Sequence, residues 1–297
     1  MVTMIVIKYI GFVLVSIIVG LLFMGIGRKY TARIQRRYGP PFWQSYLDVI
    51  KLFSKKSISH HWVMDFGIMM GLAGILATIA FLPIAGYHLF NSMNGNIIIM
   101  LYFMTIGSLG MAMGVSASGN PNASIGIARA LTMMLGYEIP FVIVAISLIF
   151  VNQSSLLSVM VTNQAGGFLH WNIIRYPFGF IAAEMALQGM LGEKPFDAMI
   201  APSEIASGPM VELSGKMMGL AFLQHAAQIF LETAIITNLF LGGASNIWSF
   251  FFKMFILYIL SLTINAVSPR FKFEDAVKWF WKWPMAFSLI QLLITIL

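Results

Sequence analysis

Three glutamates lie deep inside long apolar stretches of the sequence, where an ionised side chain is costly. Glu138, Glu184 and Glu232 are flanked on both sides by apolar residues. Acids within membrane segments are rare, and they generally face the interior of a helix bundle or a hydrated cavity. A carboxyl group at low dielectric can change its charge near neutral pH when a neighbour moves. This chemistry suits a proton relay, so the three glutamates are predicted to form part of a proton path.

Polar residues accompany Glu232 along one segment. Gln224, Gln228 and Glu232 recur at positions i, i+4 and i+8, and His225 lies seven residues before Glu232. This spacing places the side chains on one side of an α-helix. A single polar group of this kind is typically a contact between helices. Four in line favour a hydrated path instead, and His225 and Gln228 are predicted to belong to it.

The other predicted members of the path occur in three further segments. Glu184 and Gln188 form an i, i+4 pair. Glu138 precedes Pro140, which lacks an N–H and so weakens the helix beside the acid. A structural kink with a neutral Glu138 is the alternative. Asp65 lies near the edge of an apolar stretch and is predicted either to join the path or to face the membrane interface.

The residues from Gly192 to Lys216, here named the coupling loop, form the most acidic part of the chain. Long apolar runs flank the loop on both sides. Charge this dense at a membrane edge requires solvent, partners or a function. The loop is therefore predicted to lie between a soluble partner and the intramembrane glutamates. Its predicted functional side chains are Glu193, Asp197, Glu204, Glu212 and Lys216.

The composition identifies a membrane protein. The 297 residues are 59% hydrophobic and 10% charged, and the mean hydropathy is +0.85. Apolar runs of about 20 residues, the length that crosses a bilayer as a helix, recur along the chain. The prediction is a single integral membrane domain, residues 1–297, of all-α class. It has about eight transmembrane helices and one amphipathic interfacial helix. The predicted spans are Met4–Gly27, Asp65–Phe90, Asn96–Val115, Ala128–Val151, Trp171–Leu191, Leu213–Leu241, Asn246–Val267 and a last span ending at Leu297.

The distribution of charge predicts the orientation. Much of the net charge of +7 lies in the segment Arg28–His61, which has one acid, Asp48. The predicted outer loops, including a short turn at Asn91–Gly95, contain no Lys or Arg. By the positive-inside rule the basic segment is cytoplasmic and both termini lie outside. Within it, Phe42, Tyr46, Val49, Ile50 and Phe53 follow helical spacing, which predicts the amphipathic helix.

Two pairs of glycines predict a close helix contact. Gly67 and Gly71 form one G-x-x-x-G face, and Gly110 and Gly114 form another in the following span. Small residues at this spacing let the backbones of membrane helices approach each other.

The residue types exclude several classes of chemistry for this chain. It has no cysteine, which rules out disulfides and thiolate-bound iron–sulfur clusters or zinc. No nucleophile triad, phosphate loop or dinucleotide fingerprint occurs. No catalytic residue, bound cofactor or metal site is predicted, and any electron carrier is expected in another chain.

Four blocks of sequence resemble a known family. The chain is similar to the membrane junction subunit of respiratory complex I, the H or first mitochondrially encoded subunit. It resembles still more closely the matching subunit of energy-converting nickel–iron hydrogenases. The blocks are Arg33–Pro40 with Asp48–Leu52, Gly126–Glu138, Glu193–Gly215, and Pro269–Glu274 with Trp283-Pro284.

The sequence departs from the complex I pattern within the coupling loop. Ile200-Ala201 stands where complex I has Glu-Ala, and Glu193-Lys194 compresses its Glu-x-x-Arg element. Leu213 also replaces the tyrosine of its Glu-Tyr-Ser-Gly element. These positions belong to the quinone chamber of complex I, so the departures favour the hydrogenase-like branch.

The resemblance implies a membrane anchor and coupling subunit of an ion-translocating redox complex. Its partners would be a soluble iron–sulfur arm, with a nickel–iron site in a hydrogenase, and antiporter-like membrane subunits. It implies the plasma membrane of a prokaryote. No nucleic-acid partner is predicted, because most of the net charge lies in one loop, which indicates topology or contact with anionic lipid. The basic residues predicted to dock the arm by charge pairing are Arg33, Arg36, Arg37, Arg129 and Arg270.

Three alternatives stay open at this stage. In the first, the chain is a quinone-binding junction subunit, with a pocket between spans 1 and 6 and the amphipathic helix. In the second, it is a stand-alone ion or solute carrier. In the third, it is an anchor without a conducting role.

Overall fold

The structure, a computed structural model, describes residues 2–90 and 95–297 and is built from α-helices. No β-strand occurs within these ranges, where only two isolated bridges, Ile84–Tyr87 and Asn96–Leu156, are present. The helices are α1 Val2–Ile34, α2 Gln44–Ser54, α3 Trp62–Phe81, α4 Ile97–Ser116, α5 Pro121–Asn152, α6 Leu157–Asn163, α7 Asn172–Arg175, α8 Pro177–Met190, α9 Pro202–Ile205, α10 Gly215–Phe240, α11 Ile247–Val267 and α12 Phe273–Ile296.

Six of these helices are long and apolar enough to cross a membrane, namely α1, α3, α4, α5, α10 and α11. The other two predicted spans are helical as well. The fifth is divided into α7 and α8 at Tyr176, since the following Pro177 disfavours a helical conformation there. The eighth, α12, begins with the charged residues Glu274 and Asp275. The prediction of an all-α polytopic membrane protein is confirmed.

Several helix ends differ from the predicted spans. Helix α1 continues past Gly27 to Ile34, so Arg28 and Arg33 lie on its last turns. Helix α3 ends at Phe81 rather than Phe90, because Pro83 stops it. Helix α5 begins at Pro121, where the Asn120 side chain accepts a hydrogen bond from the Asn122 N–H. Most of the predicted turn Asn91–Gly95 lies outside the described residues.

The predicted glycine contact joins α3 to α4. A methyl group added to Gly67 would clash with the backbone of Gly114, and one added to Gly74 would clash with the backbone of Gly107. The two helices therefore touch through their main chains, as the G-x-x-x-G spacing predicts.

Helix α10 is the centre of the bundle. Most of its side chains from Gln224 onward are buried. It packs against α1, α2, α3, α8 and α11, while α12 covers α5 and α8. The amphipathic helix α2 lies across α1 and α10, where the Tyr46 hydroxyl donates a hydrogen bond to the Ile18 carbonyl at 2.6 Å. The coupling loop lies at the end of the bundle where α10 begins, and this end is here named the loop end.

A set of paired polar side chains, here named the end cap, closes the opposite end of α10. Gln164 donates to the Asn238 and Leu239 carbonyls, at 3.0 and 3.2 Å, and the Asn172 amide donates to the Leu239 carbonyl at 2.7 Å. The Lys253 ammonium donates to the Leu241 and Gly243 carbonyls, both at 2.6 Å. These bonds satisfy carbonyls that a helix C-terminus otherwise leaves free. The Asn238 amide also donates to the Pro83 carbonyl at 3.0 Å, and the end cap consists of Gln164, Asn172, Asn238 and Lys253.

Candidate functional site

The first part of the candidate site is a small cavity lined by two of the predicted path acids. Glu138 from α5 and Glu232 from α10 both line it, together with Gln228 and Tyr137. Its volume is about 10 Å³, roughly the space for one water molecule. The remaining lining side chains are Ile75, Met104, Ser108 and Met190. The structure thus brings Glu138, Gln228 and Glu232 together.

Only one of the two carboxylate oxygens of Glu232 has a hydrogen-bond partner among the described residues. Its side chain is 2% exposed, and its Oε1 accepts a hydrogen bond from Gln228 Nε2 at 2.7 Å. The same Gln228 amide donates to the Met190 carbonyl at 3.3 Å. Within the described residues, Glu232 Oε2 is buried and has no hydrogen-bond partner. A buried oxygen in this state requires a proton or a water molecule.

Glu184 belongs to a second polar group, between α8 and α11. Ser261 Oγ donates a hydrogen bond to Glu184 Oε1 at 3.3 Å. Gln188 Nε2 donates to the Ser261 carbonyl at 3.2 Å and to the Lys194 carbonyl at 2.7 Å. Glu184 Oε2 is also buried without a partner in the described part of the chain. Because Lys194 lies in the coupling loop, this group connects Glu184 to that loop.

Glu193, the first acid of the loop, joins the same group through Asn265. The Asn265 side-chain amide donates to the Glu193 carboxylate, and its oxygen accepts from the Lys194 N–H at 3.3 Å. Burial, with Asp197 nearby, raises the pKa of Glu193 to about 7. This carboxyl group therefore titrates near neutral pH at the point where the loop meets the bundle.

Two further loop acids are paired with arginines of the bundle. Asp197 accepts two hydrogen bonds from Arg270, at 2.7 and 2.6 Å, which is a bidentate pair. The Asp197 carboxylate raises the pKa of Arg270. Arg129 Nη1 donates to Glu204 Oε2 at 2.8 Å and to the Ala198 carbonyl at 3.4 Å. Arg129 and Arg270, two of the five arginines predicted to dock the arm, thus bind the loop of their own chain.

The last part of the loop is held by neutral and basic partners. Asn120 Nδ2 lies 2.6 Å from Glu212 Oε1, and His60 Nε2 lies 3.0 Å from Glu212 Oε2. These hydrogen bonds hold the pKa of Glu212 below its usual value. Ser214 Oγ accepts a hydrogen bond from the Ile58 N–H at 2.9 Å. Lys216 is exposed.

Two predicted path residues lie apart from the cavity. His225 is not among the lining side chains and interacts electrostatically with Arg28 of α1. Asp65 lies in the first turn of α3, and its Oδ1 is buried without a partner among the described residues. The structure does not bring either side chain into contact with Glu138 or Glu232 in the ranges that it describes.

The arginines at the end of α1 form an exposed basic surface. Arg33, Arg36 and Arg37 are exposed, and the Arg33 guanidinium lies 4.7 Å from the centre of the Tyr38 ring. Arg37 Nε donates to Gln35 Oε1 at 2.9 Å. No acid is paired with the three arginines within residues 2–90 and 95–297. The positive charges of these three arginines are therefore exposed at the surface of the chain.

Several contributors were not predicted from the sequence. Ser261 and Asn265 connect Glu184 to Glu193, and their i, i+4 spacing in α11 is a signal that identifies a shared helix face. Tyr137 precedes Glu138 directly and lines the same cavity. Asn120 and His60, which hold Glu212, have no local signal because they are far from it in the sequence.

The described residues contain no group of three or more His, Asp or Glu side chains placed to hold a metal ion. The arrangement consists of buried carboxyl groups, amides and hydroxyls that link a charged loop to the membrane helices. It defines a polytopic helical membrane protein with buried acids, one of which belongs to a hydrogen-bonded group that reaches a charged loop.

The family is shown by comparison with known proteins. Residues 7–296 match the family model described as NADH dehydrogenase, and the chain therefore belongs to that family. It is 29% identical to the H subunit of the NADH-quinone oxidoreductase of Dehalococcoides mccartyi, covering 96% of this chain and 83% of that protein. It is 27% identical to the H subunit of the F420H2 dehydrogenase of Methanosarcina mazei, covering 93% and 89%.

A solved structure matches over almost the whole chain. It is the membrane-bound sulfane sulfur reductase, an archaeal respiratory membrane complex, and one of its chains has a TM-score of 0.93 at 33% identity. The match covers 98% of this chain and 99% of that one. The family resemblance predicted from the sequence blocks is confirmed, and these relatives are subunits of redox complexes.

Proposed function

We propose that the chain is the membrane anchor and coupling subunit of an ion-translocating redox complex of the energy-converting hydrogenase type. A soluble arm carrying iron–sulfur clusters docks on the coupling loop and on the basic surface of Arg33, Arg36 and Arg37. A redox change in the arm shifts the loop. The shift alters the protonation of Glu184, Glu138 and Glu232, which pass protons or sodium ions to antiporter-like membrane subunits.

The observation that carries this proposal is the continuous hydrogen bonding between the loop and Glu184. Glu193 and Lys194 bond to Asn265, and the Lys194 carbonyl accepts from Gln188, which also bonds to Ser261 beside Glu184. A displacement of the loop by one bond length would break contacts in this group. A change at the loop end is thereby transmitted to a buried carboxyl group.

A second observation supports an ion path beyond Glu184. Gln228, which donates to Glu232, also donates to the Met190 carbonyl at the end of α8, the helix that carries Glu184. Gln228 and Met190 both line the cavity that Glu138 and Glu232 share, so this contact forms part of the cavity wall. Water between these groups would complete a relay across the bundle.

The test replaces single acids in the assembled complex. Glu138→Gln, Glu184→Gln and Glu232→Gln keep the side-chain shape and remove the exchangeable proton. Each is expected to abolish ion translocation in membrane vesicles, while the arm retains its reaction with artificial electron donors. Glu274→Gln, an exposed acid at the start of α12, is the matched control and should translocate normally.

Normal gradient formation in all three variants would refute the ion path. Loss of arm chemistry together with translocation would indicate a structural role for the acids instead. Loss of the arm on purification of an Arg33→Gln, Arg36→Gln and Arg37→Gln variant would support docking at the basic surface, and full retention would exclude it.

A quinone-binding junction subunit is the second candidate, favoured by the relative from an NADH-quinone oxidoreductase. Close packing where the quinone pocket is predicted argues against it. A methyl group added to Gly20 of α1 would clash with the Ala226 carbonyl of α10, and one added to Gly25 would clash with the Phe42 carbonyl. Quinone extracted at one per complex, or inhibition by quinone-site ligands, would decide for this candidate.

The remaining points of the proposal concern location and partners. The complex resides in the plasma membrane of a prokaryote, with both termini of this chain outside. Co-purification with cluster-bearing subunits, one of them with four nickel-ligating cysteines, supports the hydrogenase type. Purification as a single species with transport activity would support a stand-alone carrier.

A further inference from the structure

A basic pocket opens between the end of α2 and the beginning of α10. Its volume is about 440 Å³. The lining side chains, with no acid among them, are Phe53, Ser54, Lys55, Lys56, Ser57 and Lys216. Half of the lining is cationic, so the pocket is suited to an anion.

The three lysines are available for a ligand. Lys55, Lys56 and Lys216 are exposed, and no ion pair involves them within the described residues. Lysines converging without an acid repel one another, and an anion between them relieves the repulsion. Lysine ammonium groups with a neighbouring hydroxyl, here that of Ser57, form a common phosphate-binding set.

An apolar stripe begins at the residue before α2 and runs along that helix toward the pocket. Trp43, Leu47 and Ile50 are 50%, 50% and 66% exposed and follow one another at i, i+4 and i+7. The next position at this spacing is Ser54, which lines the pocket. Helix α2 is the amphipathic helix expected in the membrane interface, where apolar side chains contact acyl chains and lysines lie at the level of the headgroups.

We propose that this surface binds an anionic phospholipid of the surrounding membrane. The phosphate lies among Lys55, Lys56 and Lys216, and an acyl chain lies along Trp43–Ile50. A soluble phosphate would use the lysines alone, whereas an amphiphile uses both the pocket and the stripe. This site goes beyond the proposed function, since it concerns a lipid and requires no electron or ion transfer.

The test measures lipid retention by native mass spectrometry on the assembled complex purified in mild detergent. Equal amounts of phosphatidylglycerol and phosphatidylcholine are added. The wild-type chain is expected to retain phosphatidylglycerol preferentially. Because each lysine near a membrane surface contributes about fivefold to anionic lipid binding, the triple variant Lys55→Gln, Lys56→Gln, Lys216→Gln should bind it about 100-fold more weakly.

Two controls make the result specific. The variant Lys272→Gln, Lys278→Gln, Lys282→Gln removes the same charge from exposed positions at the start of α12 and should retain the lipid. The variant Leu47→Ser, Ile50→Ser keeps all lysines and should weaken retention of the lipid through the loss of the stripe.

The proposal is overturned if phosphatidylcholine is retained equally, or if the control triple variant loses the lipid to the same extent. Complete displacement of the lipid by excess inorganic phosphate would identify a soluble anion as the ligand. Unchanged lipid retention with loss of soluble subunits in the lysine triple variant would identify a protein interface. Each variant is compared by gel filtration, so that a misfolded chain is recognised.

Discussion

At the scale of single residues, Glu193 holds a special position because it joins the coupling loop to the bundle. It is bonded to Asn265 of α11, and burial raises its pKa to about 7. An ordinary surface carboxyl is ionised at neutral pH, whereas this one changes charge there. Small movements of the loop that expose Glu193 would therefore release its proton.

The raised pKa of Glu193 predicts a pH dependence of stability. The folded chain binds this proton more tightly than the unfolded chain, so the stabilisation is complete below about pH 4.5 and is lost as the pH rises to about 7. Between these values wild-type thermal stability should fall relative to that of Glu193→Gln. Thermal unfolding in detergent across this range measures the difference.

Glu274→Gln is the control for that measurement, because Glu274 is exposed. Its stability should follow the wild-type curve at every pH. Parallel curves for wild type and Glu193→Gln would contradict the assignment of this titration to Glu193.

Residues that share a helix face can be predicted from the sequence better than the partners of their side chains. The spacing of Gln228 and Glu232 correctly indicates a shared polar face, because both lie on one helix. The same argument places His225 on that face, but His225 is not among the side chains that line the cavity of Glu138 and Glu232. Spacing carries no information about Asp197 and Arg270, which are 73 positions apart. Their pairing is determined by how the helices pack.

At the scale of helices, the ends differ from the predicted spans for a physical reason. Hydropathy indicates which residues contact lipid, whereas a helix continues until a proline or a capping side chain ends it. Helix α1 therefore passes through Arg28 and Arg33, and α5 begins at its Asn120 cap before the apolar run starts. The break between α7 and α8 at Tyr176 was not predicted, although Pro177 marks it in the sequence.

The contact between α3 and α4 supplies a prediction for one substitution. Gly67→Leu should force the two helices apart, since even a methyl group at this position would clash with the Gly114 backbone. Overpacking of this kind costs about 1–3 kcal/mol or more. A lower unfolding temperature and a reduced yield of monodisperse chain in detergent are expected.

Gly11→Leu is the matched control, because nothing lies within 4 Å of a methyl group added at Gly11. This variant should match the wild type in both measurements. Equal behaviour of Gly67→Leu and Gly11→Leu would show that the close approach of α3 and α4 is unimportant for stability.

At the scale of the whole molecule, the two ends of α10 differ in character. The loop end has carboxyl groups with unpaired oxygens nearby, whereas the opposite end has amides and a lysine that are hydrogen-bonded to main-chain carbonyls. A fully paired polar group has little tendency to admit water. In the proposed ion path, ions that enter from the loop end would therefore leave the bundle sideways.

Removing side chains of the end cap should make the chain permeable to protons. Gln164→Ala with Asn172→Ala removes the amides that satisfy the α10 carbonyls, and water is expected to replace them. The wild-type chain in liposomes should show the proton permeability of empty liposomes, and the double variant a higher one. A pH-sensitive dye trapped inside the vesicles measures both.

Gln153→Ala is the control, because Gln153 is an exposed glutamine after α5. This variant should have the same proton permeability as the wild type. Equal permeability of the double variant and the wild type would show that another part of the bundle forms the barrier.

The end cap also has a consequence for biogenesis. A subunit of a membrane complex that enters the bilayer ahead of its partner subunits must not leak ions. If the double variant leaks as expected, the end cap of the wild-type chain would preserve the membrane potential during that interval. Assembly would then require no separate plug at this end of α10.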